Sequence, residues 1–504
     1  MDVKRLLLGS LGLGAALAVA GRLSFKSASV RPAIHNTSHN AIDAYIEQQM
    51  CSLKIPGVSL AIVEGDQIVH LRGFGRARPG GEAPTPQTPF FIGSLTKSFT
   101  ALAVMQLVEV QKIDLDAPVQ VYLPWFRVAD PRASRQIAVR HLLNQTSGLP
   151  MMPGLAALGD LDDRPEAAQR QARALSTLTL TRPVGSKFEY SNVNYNLLGL
   201  IVEAVSGESY SDYMQRHIFV PLEMRHTFAS RAAAERDGLA AGYRYWFGFP
   251  VPAPSLPIPL GSLPSGQLIS CAEDMAHYLI AQLNDGRYAG RQLLSGAGCR
   301  EMHSPAAEIH EMGQSFGHYG MGWISHGSGA SRIVSHSGHV PDFAAFMALV
   351  PEQKKGILIL LNVNHAMVKM TFDEVWLGAA QLLAGEPPSP RRFDALPWAM
   401  RAMPLVPILQ IAGVACTLRQ VRRWRRDPTL RPSRGRLWRR HVLLPLIPNL
   451  LPGLLLVPIL SEIRGFLRVF TPDLSWIAAV CGSFSLLWSA IRAKLLLREL
   501  KSST

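Results

Sequence analysis

Two apolar, β-branched-rich runs, GVSLAIVE and QIVHLRGFG, flank a Gly65-Asp66 pair between residues 57 and 75, and this pattern predicts a hairpin. Three further runs of the same kind lie between 333 and 364: IVSHSG, FAAFMALV and KGILILLNV. Helical patterns fill much of the interval, in SLTKSFTALAVMQLVEVQK from Ser94, in Leu197–Val205 and in Ala272–Leu283. Strands at both ends with helices between them predict an α+β domain whose sheet is closed by its termini. The stretch FPVPAPSLPIPLGSLP (Phe249–Pro264) has too many prolines for a central strand or a helix, so it is expected to be a long loop. The expected domain occupies 35–385, and EPPSPRR opens a linker over 386–400.

After residue 400 the pattern changes to three long apolar segments, at about 402–418, 442–460 and 474–491. Each is close to the roughly 20 residues that a helix needs to cross a bilayer. The chain of 504 residues carries a net charge of +14. Residues 401–504 hold 17 Lys and Arg against 4 Asp and Glu, which leaves the first 400 residues nearly neutral. A basic nucleic-acid-binding body is thereby excluded, and membrane lipid becomes the expected partner of the tail. The segment 419–441 has ten Arg and one Asp and is expected in the cytoplasm; 461–473 and the body then lie outside. The N-terminus agrees. Lys4 and Arg5 precede an apolar run to Ala20 that ends in Ala18-Val19-Ala20, the pattern of a signal peptide over 1–20 or of an N-terminal anchor. The expected location is the cytoplasmic (inner) membrane, multi-pass, with the body on the extracytoplasmic side; the tail also offers a surface for oligomerisation. Five cysteines are too few for a disulfide scaffold, and at most one pair is expected among Cys51, Cys271 and Cys299.

Ser94 and Lys97 stand three apart at the start of a predicted helix, so both lie on one face. A serine hydroxyl is a weak nucleophile unless a base is within reach, and a lysine serves only if burial lowers its pKa. Alone this pair says little, because Ser is a common N-cap. It recurs here with Tyr190-Ser191-Asn192, after a Pro-x-Gly turn, and with Ser335-His336-Ser337-Gly338-His339, at the end of a predicted strand.

Together Ser94-x-x-Lys97, Tyr190-x-Asn192 and His336-Ser337-Gly338 resemble the three motifs of active-site-serine penicillin-recognising enzymes. The closer likeness is to the branch of class C β-lactamases, D,D-peptidases and esterases, the S12 or β-lactamase-related family. HLLNQTSGLP, PLEMRHT, LAAGY, SGQLISCAEDMAHYL and YGMGW fit the same branch, in its order, across about 40–385. The resemblance implies an antiparallel sheet flanked by helices, with a helical subdomain. It implies Ser94 as the acylated nucleophile, Lys97 as general base and Tyr190 as proton shuttle. Asn192, His336, Ser337 and Gly338 would contact substrate, and the backbone N–H groups of Ser94 and His339 would form the oxyanion hole. No cofactor is implied. His336 and His339 form an H-x-x-H without a zincin carboxylate, so no metal is expected. His336 replaces the lysine of most β-lactamases, and a neutral His holds an anion less well. The expected substrate is therefore a peptide or acyl-amide small molecule, with esterase, β-lactamase or D,D-carboxypeptidase, and a non-catalytic sensor, as alternatives. With three C-terminal spans the layout is similar to membrane-bound prodrug-activating D-asparaginyl peptidases of the colibactin-maturing type.

Overall fold

The computed structural model describes residues 39–311, 314–327, 332–389, 396–430, 432–437, 439 and 464–501. The predicted signal or anchor (1–20), the second apolar segment (442–460) and part of the linker lie outside them. The chain divides into two compact units, one of Ser29–Tyr245 with Phe249–Arg391, the other mainly Arg392–Thr504.

The larger unit is built on an eight-stranded sheet. Its strands are β1 (Gly57–Glu64), β2 (Gln67–Gly75), β3 (Ala307–Glu311), β4 (Gln314–Tyr319), β5 (Ile324–His326), β6 (Ile333–Val340), β7 (Phe343–Val350) and β8 (Lys355–Leu361). The order is β2-β1-β8-β7-β6-β5-β4-β3, and every pairing is antiparallel. β1 pairs with β8 from Val58↔Leu361 to Glu64↔Lys355, so the two ends of the domain close the sheet on each other. The architecture is the expected α+β one. β7 is buried along its whole length, and β1 and β8 at all but one residue each, because both faces of the sheet are covered. That is why these strands read as unbroken apolar runs rather than as alternation. β3, β4 and β5 were not expected; AEIHE, QSFGHY and ISH lack such runs.

The helices that matter for the site are α1 (His39–Leu53), α2 (Thr96–Glu109), α3 (Asn192–Ser206), α4 (Ala272–Leu283) and α5 (Lys369–Leu383). α4 packs on β1 and β8, α5 on β6, β7, β8 and α1, and α2 on α3. Side chains alternate across a strand. On β6, His336 and Gly338 therefore face the α2 side, while His339 faces α5. Within the Pro-rich stretch only 253–259 is irregular, as expected; Phe249–Pro252 forms a short edge strand, and Leu260–Pro264 enters a 3₁₀ turn and the short helix Leu263–Gly266. All five cysteines are free thiols.

In the second unit, α6 (Leu405–Arg426) covers 405–418 of the first predicted apolar segment, and α7 (Pro472–Lys501) contains the third. The helical stretches Trp398–Arg426 (29 residues) and Pro472–Leu496 (25 residues) are long and apolar enough to cross a membrane. Gln410 on α6 donates Nε2–H to the Cys481 carbonyl (3.0 Å) and to Ser485 Oγ (2.8 Å) on α7.

Candidate active site

Ser94 does not open α2. It sits in a single 3₁₀ turn, Gly93–Leu95, that runs into α2 at Thr96. Gly93 has φ +55°, and a Cβ there would lie 2.5 Å from the His339 amide nitrogen. A Cβ on Gly338 would lie 2.0 Å from the Ile92 carbonyl oxygen. Only two glycines allow the serine turn and β6 to approach this closely. The approach brings the backbone nitrogens of Ser94 and His339 to one place, as two convergent donors require. Thr96 Oγ1 holds the turn, donating to the Gly93 carbonyl (2.7 Å) and accepting from Leu268 N–H (3.2 Å).

Lys97 is completely buried. Its Nζ lies 3.0 Å from Ser94 Oγ, 2.7 Å from Asn192 Oδ1 and 2.6 Å from the Ser265 carbonyl oxygen. All three neighbours are neutral. Burial pushes the ammonium well below the ordinary lysine range. A neutral amine satisfies this shell completely: two N–H groups donate to Asn192 and Ser265, and the lone pair accepts the Ser94 O–H.

Tyr190 donates its O–H to Ser94 Oγ at 2.8 Å from the other side. Burial, with the neighbouring Tyr319, pushes its phenol well above the ordinary tyrosine range. The phenol is thus a proton donor at neutral pH, not a phenolate. Its loop is fixed from 141–150. Gln145 Oε1 accepts Ser191 N–H (2.9 Å), and Ser191 Oγ donates to the Pro150 carbonyl (2.9 Å).

His336 is enclosed by its neighbours. Its ring is 3% exposed. Nδ1–H donates to the Ser337 carbonyl (2.7 Å), and Nε2 accepts from Tyr319 O–H (3.3 Å). Burial pushes it down to about 3, so the ring is neutral. It packs beside Tyr190 with ring centroids 6.5 Å apart. Ser337 is partly exposed, and Gly338 is buried against the serine turn.

Sequence reasoning assigned no role to three participants. Ser265 and Tyr319 lie in flagged stretches, but a carbonyl acceptor and a ring beneath another ring leave no motif. Asp373, on α5, meets His339 Nε2 (2.8 Å) and Lys369 Nζ (2.7 Å). Burial raises its carboxyl, but Lys369 and His339 outweigh that and hold it well below the carboxylate range. A small pocket of about 40 Å³ is lined by apolar groups, among them Phe91, Leu158, Leu161, Leu256 and Pro257, and by the polar Arg231, Gln267 and Asp342.

A serine flanked by a buried lysine and a tyrosine, on an antiparallel sheet with helices on both faces, defines the penicillin-binding class of serine hydrolase folds. Residues 42–381 match the family described as Beta-lactamase, and the chain belongs to it. It is 30% identical over 335 residues to protein flp of Staphylococcus aureus (strain MW2), covering 66% of this chain and 65% of that protein, less than two thirds of its length. It is 28% identical to penicillin-binding protein 4 of Amycolatopsis lactamdurans, covering 68% of this chain and 92% of that one. The octameric penicillin-binding protein homologue from Pyrococcus abyssi superposes with a TM-score of 0.60 at 29% identity, over 69% of this chain and 78% of that one.

Proposed function

We propose that this chain is a membrane-anchored serine hydrolase that cleaves an amide of an N-acyl or D-amino-acid-containing peptide through an acyl-enzyme, on the extracytoplasmic face. The observation that carries the reading is Ser94 Oγ placed between a buried lysine with only neutral partners and a protonated tyrosine. Lys97 accepts the Ser94 proton as Oγ bonds to the substrate carbonyl carbon. The oxyanion is held by the N–H groups of Ser94 and His339. Tyr190 protonates the departing amine nitrogen as the C–N bond breaks, and regains a proton from Lys97. Water then enters by the reverse path: its proton passes to the Tyr190–Lys97 pair, its oxygen bonds to the acyl carbon, and Ser94 Oγ leaves protonated. Each proton transfer contributes typically about 10²–10⁴-fold.

One feature favours an acyl amide over a penicillin. The position of the third motif holds a neutral, enclosed His336 rather than an anion-binding lysine. The α6 and α7 helices fit a tail that keeps the site near the membrane, where an acylated, secreted intermediate such as an N-acyl-D-asparaginyl prodrug partitions. The test is a panel of N-acyl-D-Asn peptides, D-Ala-D-Ala peptides, short esters and a chromogenic β-lactam. Amide kcat/KM is expected to exceed β-lactam kcat/KM by at least about tenfold, roughly 1.4 kcal/mol in transition-state binding. Efficient penicillin turnover with no amide cleavage across the panel returns the protein to a β-lactamase role.

A further inference from the structure

The oxyanion strand is supported on one side only where it matters. β5 pairs with β6 at Ile333, Val334 and Ser335, whereas β7 pairs with it along Val334–Val340. From His336 onward the other edge of β6 lies open to the serine turn. That opening lets the His339 amide face Ser94, and it also leaves the end of the strand without a second neighbour.

Two side chains from elsewhere hold that end. Asn364 Nδ2 donates to the Val340 carbonyl at 2.8 Å, and its Oδ1 lies 3.4 Å from His339 Nδ1. Arg244 donates Nε–H and Nη2–H to the two oxygens of Asp342, at 2.8 and 2.7 Å. The Arg244 and Asp342 side chains are only 11% and 6% exposed. Asp342 belongs to the two-residue connection Pro341–Asp342 and has φ +69°. Proline followed by a left-handed residue is the pattern of a type II turn, which prefers Gly or Asn at the second place. An aspartate kept in that unfavourable conformation, with both oxygens on one buried arginine, points to a function for the ion pair. Arg244 and Asn364 are themselves paired across a parallel bridge, Asn364↔Arg244, so the two grips have one rigid base.

We infer that Arg244 and Asn364 are positioning residues that fix the end of β6 and so aim the His339 amide at the oxyanion. The inference rests on Ser94 being the nucleophile. An oxyanion donor acts on the transition state and not on ground-state binding, so its misplacement lowers the acylation rate rather than affinity.

The experiment uses the full chain in detergent with p-nitrophenyl butyrate. It reads the saturating acylation rate from the nitrophenolate burst, the half-saturating concentration and the apparent Tm. In Arg244→Met/Asp342→Gly the turn receives the residue its backbone prefers and no charge is left unpaired. This variant is expected to melt close to the wild type yet acylate at least about tenfold more slowly, since removing an oxyanion donor outright costs about 10²–10³-fold. Its half-saturating concentration should stay within about twofold, and Arg244→Lys should recover part of the rate. A folded double variant that acylates at the wild-type rate overturns the inference, as does a loss confined to half-saturation. If the double variant does not fold, Asn364→Ala, which removes the Val340 donor and the contact with His339 Nδ1 but leaves the ion pair, is judged by the same two numbers. Turnover that survives in Ser94→Ala, or no turnover by the wild type, overturns the serine reading instead, and with it the clamp.

Discussion

Tyr190→Phe separates chemistry from structure more cleanly than any other single change in the site. The hydroxyl makes one hydrogen bond, to Ser94 Oγ at 2.8 Å. The ring packs edge-on to Tyr319 (6.4 Å), beside His336 (6.5 Å) and over Lys97 Nζ (4.8 Å), and phenylalanine keeps all three contacts. Ser94 Oγ retains its contact with Lys97, so no buried group is left wholly unpaired. The expected stability change is that of one hydrogen bond, about 0.5–1.5 kcal/mol. Loss of the proton donor to a leaving amine costs about 10²–10⁴-fold, or roughly 2.7–5.5 kcal/mol in the barrier. Catalysis should therefore fall by several times more free energy than folding. The leaving group sharpens the test, because p-nitrophenolate departs without protonation and an amine does not. For one acyl group offered as amide and as p-nitrophenyl ester, amide acylation should drop by at least about 10² while the ester burst slows by less than about tenfold. Equal losses on both would falsify the assignment, since Tyr190 would then act in a step common to both, such as removing the serine proton.

A serine-directed fluorophosphonate should label the wild type and not Ser94→Ala, read by intact mass; equal labelling sinks the nucleophile. Acid should destabilise the large unit between about pH 6.5 and 3. His336 and His303 are buried neutral and pushed down to about 3, so the unfolded chain binds more protons in that window, and stability present above it is lost as pH falls. Each ring contributes up to roughly 1.4 kcal/mol per pH unit there, so His303→Asn or His336→Asn should flatten the dependence of denaturant midpoint on pH, and an unchanged slope refutes it. A reporter active only outside the cytoplasm should work when fused after residue 395 or near Phe466 and fail near Arg431; the reverse pattern means that the arginines of 419–441 do not set the orientation.

How much of this was legible depends on which physical signal each part leaves in a sequence. β1, β6, β7 and β8 were readable because burial on the sheet favours apolar runs; β2, a largely half-buried edge strand, was readable from its β-branched residues and from the Gly65-Asp66 turn before it. β3, β4 and β5 were not. Glu, His, Gln and Gly dominate them, and their strand character comes from pairing outward from β6. Ser94, Lys97 and Tyr190 were legible as motifs whose spacings survive in the chain, and the structure brings them together. Ser265 was not, because a backbone carbonyl can be supplied by any residue, and only the pairing of 90–91 with 269–270 places it under Lys97. His336 was legible in position but not in posture: the sequence shows a histidine where a cation is usual, and only the fold shows both ring nitrogens occupied. The Arg244–Asp342 pair leaves no trace at all, with its members 98 residues apart.

One physical cause gives the site its two opposite proton carriers. Desolvation disfavours whichever form is charged, and for lysine that is the protonated form, for tyrosine the deprotonated one. Enclosing Lys97 and Tyr190 together therefore drives the first down and the second up. The result is an amine eased towards its neutral form and a phenol held in its neutral form, meeting at one serine oxygen without any carboxylate to orient them. A carboxylate within reach of Nζ would undo this by stabilising the ammonium, and all the contacts of Nζ are to neutral oxygens. The carboxylate of Asp373 is held on the opposite face of β6, where it pairs with His339 and Lys369. The sheet thus keeps this carboxylate out of hydrogen-bond reach of Lys97, while its field still reaches Tyr190 and helps to raise the phenol, so the one anion behind β6 works in the same direction as burial on the proton donor.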